Sequence, residues 1–419
     1  MKIIDVTVTK FRKDSWVGVD RDGHMHPSVK KDSAAALIQV HTDCGITGQY
    51  FTAENHLTPS GNYDKSALTE LCLGSYVPAG TGDSLTDAVN KIKPVLVGED
   101  PFCRQRIFRK LFRMQRLGGS VPVLDDIIGI VDCALWDFAG KYAGLPVYKL
   151  LGGHRTRIPA YGSIMVGDDY RNGLDTPESY ARYAAELKRR GYQGIKLHTW
   201  MDENWSDRVI SGKPDLKKDI AACAAVREAV GYDMPLFIDA FHDYTRYEAL
   251  ALGRELEKLH FEWIEEPMDE YNMSDYQWLA EQLDIPVIGP ETARGKSQAR
   301  MEWILKGACD ICRAGAMDVG GITELMKIVH MCEIMDVPLE LHSPGTATLH
   351  VMASMMVPGR YYERGLLHPF LDYDTTPPWF NSPVDFMDEE GFMHVPDTPG
   401  LGYDINWDYI RSNEIRKQG

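Results

Sequence analysis

The sequence predicts an α/β protein built around a (β/α)8-type barrel. From about residue 126, short apolar runs alternate with amphipathic helical stretches, and about eight such runs can be counted. Strands that alternate with helices imply a parallel sheet, and eight units close it into a barrel. Many of the runs also end in a charged residue, and three acidic endings, Asp239, Glu265 and Glu291, follow one another at equal intervals. One strand plus one helix per repeat accounts for that period.

Residues 1–125 read as a separate unit. Strand patterns come first (3–11 and 35–42), with a turn at Cys44 and Gly45, and helical patterns follow at 85–96 and 103–114. The opening MKIIDVTVTKF alternates like an edge strand and lacks the charged start and apolar stretch of a signal peptide. Between the first two strands lies SWVGVDRDGHMHPSVKKDS, residues 15–33, long, polar and rich in glycine and histidine. Such a segment is expected to be a mobile loop that serves as a lid.

The barrel is expected over 126–370. A strongly amphipathic helix at 131–142 opens it, and strands are expected near 159–163, 194–199, 235–239, 261–265, 286–291, 310–315, 338–342 and 360–363. Helical stretches at 247–259, 276–283 and 322–335 fill gaps between them. The last strand is the weakest of the eight. Residues 371–419, rich in Pro, Asp and Trp, lack the barrel period and are expected to pack back on the first unit.

The composition narrows the function. The chain has 419 residues, is 44% hydrophobic and 25% charged, and carries a formal net charge of −16. That charge argues against a general nucleic-acid partner. No apolar run is long enough to span a membrane, and a cytoplasmic location is expected. Eight cysteines in a chain this long form no disulfide framework. Cys309 and Cys312 form a lone C-x-x-C and read as buried thiols around a strand.

In a (β/α)8 barrel the active site lies at the C-terminal ends of the strands. Those ends carry Lys196, His198, Asp239, Glu265, Glu291 and His342. Three carboxylates gathered there without a cation would repel one another and raise one another's pKa. An all-oxygen site with three negative charges suits a hard divalent ion, Mg2+ above all. In GIKLHTW, residues 194–200, Lys196 and His198 are two apart and therefore share a strand face. A cation facing a basic pair makes a place for a small carboxylate. The metal stabilises the enolate that forms when an α-proton leaves, and a group near neutral pKa removes the proton. Histidine is the side chain suited to that task, which points to His198, whereas Lys196 beside carboxylates keeps its charge.

These residues resemble the enolase superfamily, and within it the mandelate racemase-like branch. The resemblance covers nearly the whole chain and rests on VDCALWDFAGKYAGLPVYKLLGG (131–153), WIEEP (263–267), GPET (289–292) and GGIT (320–323). It implies an α+β N-terminal capping domain, completed by the C-terminal tail, over the barrel. It implies Asp239, Glu265 and Glu291 as metal ligands, with Glu266 pointing the other way. It places His198 in the base position of the K-x-K motif, a base of the kind this superfamily uses with Mg2+. His342 matches the strand-seven histidine, and Glu363 the acid after strand eight that bonds substrate. It also suggests a homo-oligomer.

Two departures stand out. The strand-six Asp that pairs with the strand-seven histidine falls on Gly315, and Asp318 lies three residues on, expected beyond the strand end. Arg313, on the same strand face as Gly315, is expected to fill the space with positive charge. The other departure is His198, less basic than the usual lysine. His242, just past Asp239, is a candidate contact for a substrate hydroxyl.

The expected activity is Mg2+-dependent dehydration of a sugar acid, an aldonate or aldarate. His198 removes the α-proton, His342 protonates the leaving β-hydroxyl, and Lys196 and Glu363 help to fix the carboxylate. The polar lid, with Asp20, Asp22, His24 and His26, suits a polyhydroxy substrate. A racemase or epimerase, a lactone cycloisomerase, and a non-catalytic metal- and ligand-binding barrel are the alternatives. The missing Asp beside His342 ranks the racemase lower.

Overall fold

The computed structural model describes residues 1–20, 23–68, 83–118, 122–199, 214–356 and 359–416. Eight parallel strands form the barrel wall. They are β5 (Arg157–Ile164), β6 (Gly194–Leu197), β7 (Leu236–Asp239), β8 (Trp263–Glu265), β9 (Val287–Gly289), β10 (Ile311–Ala314), β11 (Leu339–Leu341) and β12 (Tyr362–Leu367). Neighbours in sequence are neighbours in the sheet from β5 to β11, and β12 returns to pair with β5. Among the described residues no ladder joins β11 to β12. All eight strands fall on the expected runs, and the weakest in sequence, β12, pairs with β5 from Tyr362 to Leu367.

The strands build the site through their period of two. Tyr161, Phe237, Trp263, Ile288 and Ile311 form one buried cluster, in which Phe237 and Trp263 stack at 3.7 Å between ring centroids. Two residues further along β6, β7, β8 and β10 stand Lys196, Asp239, Glu265 and Arg313. The apolar layer is thus a floor, and the charged layer rests on it. Gly194 belongs to the floor: a Cβ there would meet the Phe237 ring at 2.7 Å.

Helices cover the outside. Pro177–Arg189 and Arg246–Lys258 each begin with a capping box, Thr176 with Ser179 and Thr245 with Glu248. No described helix is long and apolar enough to cross a membrane.

The first unit is a three-stranded antiparallel sheet of β1 (Ile3–Val19), β2 (Met25–Thr42) and β3 (Thr47–Phe51), with β1 at its edge. The segment 15–33 is a correction to the expectation of a loop. β1 and β2 pair along almost their whole length, as far as Val19 opposite Met25. Trp16, Val17, Val19, Met25 and Val29 supply apolar and β-branched side chains through the polar stretch.

The helix Asp125–Ala143 also differs from its expected place at the start of the barrel. It packs on the cap sheet so closely that a Cβ on Gly48 of β3 would meet the Ala134 carbonyl oxygen at 2.0 Å. Its buried Asp137 accepts the backbone N–H groups of Gln49 and Leu401. The tail packs on the same sheet in a separate buried cluster, in which Trp379, Phe380 and Ile410 meet Phe11, Leu37 and Phe51. It also adds β13 (Leu371–Asp372), paired with β4 (Thr58–Pro59), and β14 (Phe392–His394), antiparallel to β5.

Candidate active site

A cavity of 470 Å3 opens at the C-terminal strand ends beneath the cap. Lys196, His198, Asp239, Glu291, His342 and Glu363 line it from the barrel, and Ser15, Val17, Met25 and Glu54 line it from the cap. The lid hairpin therefore reaches the site. His24 sets its ring edge-on to Phe241 at 4.7 Å, and Phe241 lies 5.2 Å from the His198 ring.

Two buried cations bind four carboxylates together. Lys196 Nζ lies 3.1 Å from Asp239, 3.2 Å from Glu265 and 2.8 Å from Glu363. Arg313, fully buried, reaches Glu265 at 2.7 Å, Glu291 at 3.2 Å and Glu363 at 2.7 Å. Burial opposes the charge on both, yet the facing carboxylates hold each well above its ordinary pKa. Lys196 is thus a fixed positive charge rather than a proton acceptor.

Asp239, Glu265, Glu291 and Glu363 exceed Lys196 and Arg313 by two negative charges, which one divalent cation balances. Burial raises Glu291 to about 7 without such a cation. The oxygen-only donors Asp239, Glu265 and Glu291 fit Mg2+.

The residues beside these ligands have their own tasks. Glu266 turns away from Glu265, accepts the Glu291 backbone N–H at 2.8 Å and faces His242 at 2.9 Å. His242 is thus turned to Glu266. Sequence reasoning missed Glu270, whose carboxylate accepts the backbone N–H groups of Glu291, Thr292 and Ala293 at 2.6–2.8 Å. It anchors the loop that presents Glu291. Four non-glycine residues near the ligands, Phe241, His242, Glu266 and Ser343, have φ between 44° and 68°. Such backbone persists where the surroundings over-determine it.

The two imidazoles differ. His198 Nδ1 lies 2.6 Å from the Ile164 carbonyl oxygen, which can only accept a proton bond. The Nδ1–H is therefore fixed, and Nε2, 3.1 Å from Asp239, is the nitrogen offered to the cavity. His342 Nε2 faces Glu291 at 3.1 Å, and its Nδ1 faces Asp318 at 2.9 Å. Burial works against its charge, but Glu291 and Asp318 outweigh it and raise His342 to about 9. Asp318 lies beyond the strand end, as expected, yet it partners His342, a role the sequence did not assign to it.

Among the other expected contacts, Glu363 stands between Lys196 and Arg313. His26 is turned to Asp20 at 2.9 Å, while its neighbour Met25 lines the cavity. Asp22 lies outside the described residues. Cys309 and Cys312 are buried free thiols.

Residues 24–152 match the mandelate racemase / muconate lactonizing enzyme N-terminal domain, and residues 179–409 match the enolase C-terminal domain-like family. The chain is 33% identical over 338 residues to an arabinonate dehydratase of Saccharolobus solfataricus, covering 79% of this chain and 84% of that protein. It is 30% identical to an L-talarate/galactarate dehydratase of Salmonella typhimurium, covering 79% of this chain and 76% of the relative. The crystal structure of a D-glucarate dehydratase from Agrobacterium tumefaciens, complexed with magnesium, superposes with a TM-score of 0.88. It is 46% identical and covers 99% of this chain and 100% of that one. With its cap, its barrel and its acidic strand ends, the chain belongs to the enolase superfamily, in the mandelate racemase-like branch.

Proposed function

We propose that this enzyme is a Mg2+-dependent hydro-lyase that converts an aldonate or aldarate to its 2-keto-3-deoxy acid. The observation that carries the reading is the unequal setting of two imidazoles in one cavity. His198 offers Nε2 with its Nδ1–H fixed on Ile164, and Glu291 and Asp318 hold His342 as an acid. The dehydratase names of the relatives point to the same class.

Mg2+ at Asp239, Glu265 and Glu291 would supply Lewis-acid stabilisation of the enolate. The chain's own groups do the rest. Lys196 adds a fixed charge beside the substrate carboxylate. His198 Nε2 takes the α-proton, with its tautomer set by Ile164. His342 Nε2 gives its proton to the β-hydroxyl, which leaves as water. The enol left behind gives up its hydroxyl proton, takes up a proton at the β-carbon and becomes the keto acid. Ser15, Val17 and Met25 close the cavity from above and limit the water that reaches the reacting carbon.

Asp318 bears on a second reading. A racemase needs a competent base on both faces of the α-carbon, and a histidine–aspartate pair is one. The ground for ranking that reading lower in sequence is therefore removed by the Asp318–His342 contact. The lactone cycloisomerase and the non-catalytic barrel have no such contact in their favour.

A stereochemical panel of aldonates and aldarates, incubated with Mg2+ in D2O, separates the readings. Keto acid from one or a few related stereoisomers supports the dehydratase. Deuterium at the α-carbon without keto acid supports the racemase. Neither signal across the panel would count against both.

A further inference from the structure

The lid hairpin carries a second group of metal-binding side chains, away from the catalytic carboxylates. Asp20 ends the outgoing arm, and His24 and His26 lie on the returning one. The two histidines are two residues apart in extended chain, so their rings share a face. Both are buried, at 3% and 0% relative exposure. Asp20 meets that face: His24 N–H donates to Asp20 Oδ1 at 2.8 Å, and Asp20 N–H donates to the His24 carbonyl at 3.0 Å.

The ring nitrogens converge on one point. His26 Nε2 lies 2.9 Å and His24 Nδ1 lies 3.3 Å from the same oxygen, Asp20 Oδ2. One donor atom from each residue falls within 4.8 Å of the others. In a tetrahedral site with bonds of about 2.0 Å, ligand atoms stand about 3.3 Å apart. Both distances to Asp20 Oδ2 are within a few tenths of an ångström of that spacing, and the two imidazole nitrogens lie within 4.8 Å of each other. A cation there would replace the protons now shared between the imidazoles and the carboxylate.

The geometry points to a second metal site, formed by Asp20, His24 and His26, that takes a zinc-class divalent cation and locks the lid hairpin. Two imidazoles and one carboxylate suit Zn2+, Co2+ or Ni2+, whereas Mg2+ prefers the all-oxygen site below. The cation would tie the two arms of the tip and hold His24 on Phe241, the ring that also backs His198. The catalytic residues share no ligand with it.

The test uses full-length protein stripped with a chelator and then kept in excess Mg2+ to fill the carboxylate site. Co2+ is titrated and its visible absorption followed, with Zn2+ affinity measured by calorimetry. One equivalent of Co2+ with bands of imidazole ligation is expected. In His26→Gln the affinity is expected to fall by about 10–100-fold or more. Asp20→Asn, at the less buried turn, should fall in the same way and serves if His26→Gln does not fold. No Co2+ or Zn2+ uptake in excess Mg2+ would overturn the inference, and so would uptake undiminished by both variants. Because no substrate enters the test, failure of the proposed dehydration would leave this result standing.

Discussion

Asp318 reaches Nδ1 of His342 at 2.9 Å through space that Gly315 leaves open. A Cβ at residue 315 would lie 2.3 Å from Asp318 Oδ2. Gly315 therefore does not mark a lost acid. It makes room for an acid supplied three residues later, from the short helix Ala316–Val319. The relation predicts that Asp318→Asn and Gly315→Ala fail in the same direction. Each should lower kcat by about 10–100-fold. In the proposed dehydration His342 acts when protonated, so activity should fall as pH rises through its pKa. Losing Asp318 lowers that pKa, and the alkaline limb of the rate profile should move to lower pH. An unmoved limb in Asp318→Asn would separate Asp318 from the acid's task.

Arg313 is the cation that Glu265, Glu291 and Glu363 share. Removing it leaves buried carboxylates unpaired, a change that costs about 3–5 kcal/mol. Arg313→Met should lower the Tm of the metal-free protein markedly. Mg2+ should restore more of the loss than it adds to the wild type, because it supplies charge to the same oxygens. Melting curves with and without Mg2+ check this, and equal Mg2+ shifts in both proteins would count against the shared-charge account.

Glu54 couples pH to the joint between cap and barrel. It is buried, and its carboxylate accepts the Thr346 backbone N–H at 2.8 Å and bonds to the Tyr403 hydroxyl. Burial is the main cause that raises it from 4.5 to about 7. The folded pKa lies above the unfolded one, so its stabilising contribution is complete below the unfolded pKa. It is then lost as pH rises through the folded pKa, by up to about 3 kcal/mol. Denaturant unfolding of wild type and Glu54→Gln across this window should show the difference turning against the wild type as pH rises. A constant difference would contradict it.

The strand ends were legible because a parallel barrel writes its site into a repeating pattern. Asp239, Glu265 and Lys196 could be placed from spacing and alternation alone. Asp318 could not, because its reach depends on the helical turn after Ala314 and on the absence of a side chain at 315. Arg313 was visible as a charge on the right face, but its three partners come from β8, the loop after β9 and β12. The lid was misjudged for a different reason. Its polar and glycine content suggested a loop, while Trp16, Val17, Val19 and Met25 carried enough alternation to extend the hairpin. Glu270 left no local signal, since it acts on the backbone of a loop more than 20 residues away.

The role proposed for His198 is removal of the α-proton. The direct measurement is solvent deuterium exchange at the α-carbon, by NMR, for wild type and His198→Asn with the acid sugar found by the panel. Loss of exchange by about 10²–10⁴-fold, with Mg2+ binding retained, is the predicted result. Exchange at the wild-type rate in His198→Asn would contradict the assignment and require a different base.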